Sequence, residues 1–180
     1  MKIACLSAAF ICAASTVSAL CEDAWYLRNL AFDRAGYCFG STLGGALFDA
    51  TCSTKSPTLN EWDQSMVDAH KRIEASNGCK INTKGRVLAS TLIGKMDDID
   101  LLPTLSQFES ACHGYKGSPV TMTSGIGMQM SYPTGTITSG DTVYFRFESW
   151  GGFEFVETDS AAGWIPEGAV AVDSCAAFAG

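Results

Sequence analysis

Arg28, Asn29, Asp33 and Arg34 stand among Trp25, Tyr26, Leu30, Phe32, Tyr37 and Phe39 in the stretch WYLRNLAFDRAGYCFG, residues 25–40. Guanidinium forks beside aromatic rings can clamp an anionic ligand. The same forks can pair inside the protein with carboxylates or with free carbonyls at helix ends. Helix-embedded charges in apolar surroundings are costly unless paired, so internal pairing is the favoured reading, and ligand capture by Arg28 or Arg34 is the alternative. A second candidate set lies far along the chain. Trp150 and Tyr132, with Trp164, would make a surface platform, because Trp and Tyr are good binding anchors. Trp164 and Phe155 are themselves expected in the core.

Catalytic signatures are missing from the sequence. It holds no G-x-S-x-G elbow and no H-E-x-x-H. His70, beside Lys71 and Arg72, reads as a solvated surface histidine. His113 follows Cys112, a cysteine expected to be oxidised, which removes the obvious thiol nucleophile. The run DDID at 97–100 lacks the glycine and distant glutamate of a calcium loop and reads as a solvated turn. The expectation is a protein that is not an enzyme, with no cofactor and no metal.

Lys2, the apolar run at 3–14 and the small-residue pattern VSA at 17–19 together resemble a secretory leader cut after Ala19. Leu20 is too large to precede a lipid-anchored Cys21. Removal of residues 1–19 takes one lysine and no acid, moving the formal charge from -7 to -8. No later segment has the roughly eighteen consecutive apolar residues of a membrane span. Without clustered Lys and Arg, nucleic acid is an unsuitable partner; a basic protein or a cation is electrostatically more welcome. The expected chain is exported, periplasmic or extracellular, and monomeric.

The elements that must carry these residues divide the chain. A first helix is expected over Asp23–Ala35, ended by Gly36, with apolar residues on more than one side and therefore burial on more than one side. Leu43–Phe48 reads as one short helical turn. A longer helix over Leu59–Ser76 has a T-x-x-E capping box at Thr58 and Glu61, and an apolar face of Trp62, Met66, Ala69 and Ile73. Asp68 and Arg72 would pair on its outside, and Asn77-Gly78 ends it. Within 80–111, GRVLASTLIGKM reads as a short helix and DDIDLLPTLSQF as a connector. From 117 onward GMQMSYP, TVYFRFES, FEFVETD and GWIPEGAV read as short strands between turns.

Two family resemblances fit this division. The stretch YLRNLAFDRAGYCF resembles the naming motif of the YARHG domain, a presumed extracellular bacterial module, with Tyr26, Arg28, Asn29, Arg34, Gly36, Tyr37 and Phe39 in register. LNEWDQSMVDAHKRIE resembles that family's following helix. The match departs at Ala35, where the family has histidine, and at Asp33, where it has alanine. The cysteine-rich form is similar to a family of uncharacterised exported bacterial proteins. In the back half, Gly140, Trp150 with Phe153, and Gly163-Trp164-Ile165-Pro166 resemble the spacing of the bacterial SH3-like module, which implies a small β-barrel. The reading is an α+β chain: a leader at 1–19, a disulfide-bonded YARHG-like helical domain at 20–111 and an SH3-like β domain at 112–180.

Six cysteines follow the leader, an even number that reads as disulfides rather than a metal site. Spacing alone leaves fifteen pairings open. Element geometry favours Cys21 with Cys79, because two antiparallel helices would bring both to one end. It also favours Cys38 with Cys52, and Cys112 with Cys175 fastening the β-rich half. A Cys21–Cys38 bond is disfavoured, since about thirteen helical residues hold these cysteines roughly 20 Å apart, whereas bridged α-carbons lie within about 7 Å. The function implied is a non-enzymatic accessory module of the cell envelope that binds cell-wall glycan or peptide. The alternatives are a secreted inhibitor of a basic hydrolase such as a lysozyme and, more weakly, an enzyme with an unfamiliar site.

Overall fold

The computed structural model describes residues 14–48, 50–127 and 131–180. Residues 1–13 of the expected leader, and Met128–Met130 of the expected strand GMQMSYP, lie outside the described residues. Helix α1 runs Ala14–Arg34, α2 Gly44–Leu47 and α3 Glu61–Ser76. The strands are β1 Leu105–Tyr115, β2 Val120–Thr123, β3 Pro133–Ile137, β4 Val143–Phe147, β5 Phe153–Glu157, β6 Ala162–Pro166 and β7 Cys175–Ala179. The fold is α+β: helices first, then one antiparallel sheet of order β3-β2-β6-β5-β4-β1-β7.

α1 begins nine residues before the expected start at Asp23, so Cys21 sits inside the helix rather than ahead of it. Its buried residues, Ala24, Trp25, Tyr26, Leu27, Leu30 and Ala31, surround more than half of the axis. Gly36, at φ +79°, ends it. The Tyr37 N–H donates to Phe32 O at 3.0 Å and the Gly36 N–H to Asp33 O at 2.7 Å. That is the paired bond pattern of a Schellman ending, for which a left-handed glycine is the natural residue. The Phe32 and Tyr37 rings, 6.1 Å apart, supply its usual hydrophobic contact.

The cap of α3 differs from the expected Thr58–Glu61 box. Asn60 is the capping residue, and its side-chain oxygen accepts the Asp63 N–H at 2.8 Å. Asn stands above Thr as an N-cap, and the helix starts where its bond can be made. On the outer face Asp68 pairs with Lys71 at 3.4 Å.

The histidine reading needs correction. His70 is fully buried, not solvated. The inward face of α3 is Met66, Val67, His70 and Ile73, so His70 takes the place expected for Ala69. Its Nε2 accepts the N–H of Leu105, the first residue of β1, at 3.2 Å, and its Nδ1 lies 2.9 Å from the Met66 sulfur. A single imidazole therefore joins the helical layer to the sheet.

GRVLASTLIGKM is not a helix; residues 85–96 form turns and irregular chain. Gly94 adopts φ +83° there. The sheet, in turn, is not a closed barrel: β3 and β7 are its two ends. It curls instead around a core of its own, built from Cys112, Tyr115, Met122, Ile137, Val143, Val156, Ile165 and Cys175. The two-residue alternation of strands sends their neighbours to the other side. Phe155 and Trp164, with Phe147 and Leu105, join Trp25, Leu27, Met66 and Ile73 in the larger core under the helices. Gly163 lets β6 lie close to its neighbours, for a Cβ there would come within 2.5 Å of Thr134 Oγ1.

Three disulfides hold this arrangement: Cys21–Cys79, Cys38–Cys52 and Cys112–Cys175, with α-carbons 5.4, 4.9 and 5.2 Å apart. Each is one of the geometrically favoured pairs. The last joins adjacent antiparallel strands, β1 and β7, and closes a long loop worth about 4 kcal/mol in the chain-entropy model.

A charge network ties the layers as well. Arg146 on β4 pairs with Asp23 of α1, with Glu157 of β5 at 2.9 Å and with Glu109 of β1 at 3.4 Å. Lys95 reaches Glu157 at 3.3 Å, and the Ser90 hydroxyl donates to Asp23 at 2.6 Å. Asp23 and Glu157 are each only 1% exposed. Burial by itself would lower Arg146, but the Asp23 and Glu157 carboxylates outweigh it and hold the guanidinium above its ordinary value.

Two predictions follow from these buried groups. Asp23→Ala removes one partner of a buried pair and is expected to cost about 3 kcal/mol in urea denaturation. A loss under about 1 kcal/mol, the size of an exposed pair, would refute a buried tie between the layers. His70 is held down to about 4 from 6.5 by burial, followed by the Arg28 charge, against an opposing bond to Met66. The unfolded chain then binds the proton first, so stability associated with His70 is complete above about pH 6.5 and falls towards pH 4. The loss approaches about 3 kcal/mol. Comparing chemical denaturation of the native chain and of His70→Gln at pH 7.5 and 4.5 isolates this contribution; equal pH slopes would disprove it.

Candidate functional site

Of the front-half candidates Asn29 is buried and Arg28 half-buried, while Arg34, exposed at the end of α1, is engaged by the protein's own backbone. Arg28 Nε donates to Glu74 on α3 at 3.0 Å, and Asn29 donates to Trp25 O at 2.7 Å. Arg34 donates to the carbonyls of Ile99 at 2.6 Å and Met96 at 2.8 Å. The surrounding rings pack on Phe48: Phe39 at 4.6 Å and Tyr26 at 5.9 Å stack on it, and Trp25 lies tilted at 6.0 Å between centroids. Burial, followed by the Asp97 charge, pushes the Tyr26 phenol up to about 12. The aromatic stretch 25–39 is thus a packed junction closed by Cys38–Cys52.

The back-half candidates are placed differently. Trp150 is 53% exposed and Tyr132 45% exposed, whereas Trp164 and Phe155 are core. Trp150 and Phe153 exchange backbone bonds at 2.8 and 3.0 Å across Gly151-Gly152. Both glycines have positive φ, +61° and +79°, as a two-residue hairpin turn of primed type requires. The Trp150 ring is therefore carried on a short, defined turn. It meets Trp62 of α3 edge to face at 4.6 Å. Trp62 in turn is anchored by its indole N–H, which donates to Leu102 O at 3.0 Å.

These two tryptophans, with Asp100, Leu101, Ile126 and Ser131, line a groove of about 350 Å³. Buried Ser124 organises its floor. Its carbonyl accepts the N–H groups of Asp100 at 2.8 Å and Leu101 at 3.1 Å, its hydroxyl donates to Asp100 at 2.5 Å, and it bonds Tyr132 through backbone and side chain. Slight burial, then the Asp100 and Asp98 charges, push the Tyr132 phenol up, while Arg34 acts the other way. Arg34, Tyr132 and Trp150 are thereby brought to one neighbourhood; Arg28 is not. Trp62 was read from the sequence only as a core position, and its helical spacing could not reveal that one edge reaches the surface.

A larger cleft of about 650 Å³ lies between α1, the irregular segment and the sheet, lined by Lys95, Glu109, Tyr144, Arg146, Glu157 and Asp159, with Ala19 and Thr91 at its sides. Nothing in the local sequence pattern announces it. Its charged residues come from four separate segments, which no single stretch of the sequence brings together. Burial pushes the Glu157 carboxyl up, and Arg146 and Lys95 pull it back. Among the described residues no group of three or more His, Cys, Asp or Glu could hold a metal ion, and no helix is long and apolar enough to cross a membrane.

Comparison with known proteins divides the chain near the end of α3. Residues 2–75 match the YARHG domain, as the naming motif suggested. Residues 78–180 match a domain of unknown function, DUF4453, which takes in both residues 112–180, expected as an SH3-like module, and residues 78–111, expected in the helical domain. No curated protein and no solved structure matches the chain. With more than half of its length in that second match, the chain belongs to the DUF4453 family, here preceded by a YARHG domain.

Proposed function

We propose that this protein is an exported, non-enzymatic accessory module of the cell envelope that binds cell-wall glycan or its peptide in the groove between Trp62 and Trp150. The observation that carries this reading is Trp150: a large indole, 53% exposed, held on a rigid turn against a second indole. Exposed tryptophans so fixed make strong anchors, because little freedom remains to be lost on binding. Asp100 and Ser131 offer polar groups beside the rings, the combination that a sugar or peptide backbone requires. The YARHG domain, the three disulfides and the absence of a membrane-spanning helix among the described residues are consistent with export. The SH3-like resemblance of residues 112–180 supports the same reading, with Gly163-Trp164-Ile165-Pro166 lying in β6.

One observation favours the inhibitor of a basic hydrolase as a second reading: Asp97, Asp98 and Asp100 are all exposed on the segment that forms the groove floor. A lysozyme held by these charges would be released as salt shortens electrostatic reach.

Co-sedimentation with purified peptidoglycan sacculi tests the first reading. The native chain is expected to sediment with the sacculi, and Trp150→Ala to weaken this by about tenfold or more, with an unchanged melting temperature. Sacculi that fail to retain the native chain, or retain Trp150→Ala equally well, would overturn it. Salt-sensitive capture of a lysozyme in place of sacculi would select the inhibitor.

A further inference from the structure

The cleft above the Arg146 network is independent of the tryptophan groove, and its hydrogen-bond accounting favours ligands of one charge. The two cations are already satisfied. Arg146 places Nε on Glu109, one terminal nitrogen on Glu157 and Thr91, and the other on Asp23. Lys95 donates to Glu157 at 3.3 Å and to the Thr158 carbonyl at 2.8 Å. Few of their donors are left for an anion.

The acids at the rim are in the opposite condition. Glu109 is half exposed and meets Arg146 through one oxygen, at 3.4 Å. Asp159 is exposed and accepts only the Tyr144 hydroxyl, at 3.4 Å, among the described residues. Each retains an oxygen with lone pairs to offer. Asp23, Glu109, Glu157 and Asp159 face Arg146 and Lys95, which leaves two negative charges in excess around the cleft. Tyr144 adds an aromatic wall, suited to an aliphatic stem or a cation above its ring. A volume of about 650 Å³ has room for several residues of a peptide. Ala19 forms part of one wall, so loss of the expected leader would widen the mouth and leave the charged groups in place.

We propose that this cleft binds the ammonium or guanidinium end of a basic side chain, presented by a lysine- or arginine-rich peptide segment. Glu109 and Asp159 take the cation, Tyr144 flanks its stem, and the Arg146–Glu157–Lys95 floor sets the shape without taking up ligand charge.

Acetylated, amidated trilysine, triglutamine and triglutamate peptides test this by calorimetric titration at low salt, with binding located by amide NMR shifts. Trilysine is expected to bind and to perturb Glu109, Tyr144 and Asp159; triglutamate is expected not to bind. The exposed double change Glu109→Gln with Asp159→Asn should weaken trilysine by about tenfold or more and leave the melting temperature unchanged. Trilysine binding no tighter than triglutamine, unaltered affinity in the double variant, or shifts centred on Trp62 and Trp150 would each overturn the proposal. The last result would move the cation to the groove.

Discussion

The fold depends on how the carbonyls of residues 96–102 are satisfied. This segment is neither helix nor strand, yet it runs between the two layers, with Met96, Ile99 and Leu102 in the core. Buried carbonyls without a ladder must find donors elsewhere. Three side chains supply them: Arg34 from the end of α1 bonds 96 and 99, Trp164 from β6 bonds 101 at 2.8 Å, and Trp62 from α3 bonds 102. Each donor belongs to a different regular element. The irregular chain is therefore the place where helices and sheet are registered against one another, and the groove beside it inherits that precision.

The same arrangement explains a functional ambiguity in the front half. An arginine among aromatic rings has the chemistry of a ligand clamp, and Arg34 does act as one, but on the protein's own backbone. Arg28 reaches across to Glu74 and contributes to the contact between α1 and α3. The exposed aromatic surface arises one layer further out, where Trp150 and Tyr132 remain exposed and Trp62 is shared between core and groove.

Helix positions, the hairpin strands and the cysteine pairs were legible because they follow from local pattern and element length. Gly36, the spacing of Met66 and Ile73, and the alternation in FEFVETD each declare their element within a few residues. His70 was misread because its charged neighbours, Lys71 and Arg72, were given more weight than its place four residues after Met66 and three before Ile73. Residues 80–104 resisted because their shape is imposed by donors distant in sequence. The Arg146 cleft was invisible for the same reason: no local window contains Asp23, Lys95, Glu109 and Glu157 together. Strand periodicity identified the β half, but whether its sheet closes depends on pairing between β3 and β7, which no single strand encodes.

The disulfides are nested rather than sequential: the Cys38–Cys52 ring lies inside the loop closed by Cys21–Cys79, and Cys112–Cys175 stands apart. Cys21 and Cys38 are neighbours in order of synthesis, so an oxidant acting on a growing chain meets that incorrect pair first. α1 prevents the error once it forms. The helix from Cys21 to Arg34 is a spacer of about 20 Å, far beyond the reach of a sulfur–sulfur bond. The thiol of Cys21 is then kept for Cys79, which arrives only after α3 is complete. A bridge formed before the helix must be undone by thiol exchange. The length of one helix thus acts as a ruler that determines which covalent isomer of the protein is made.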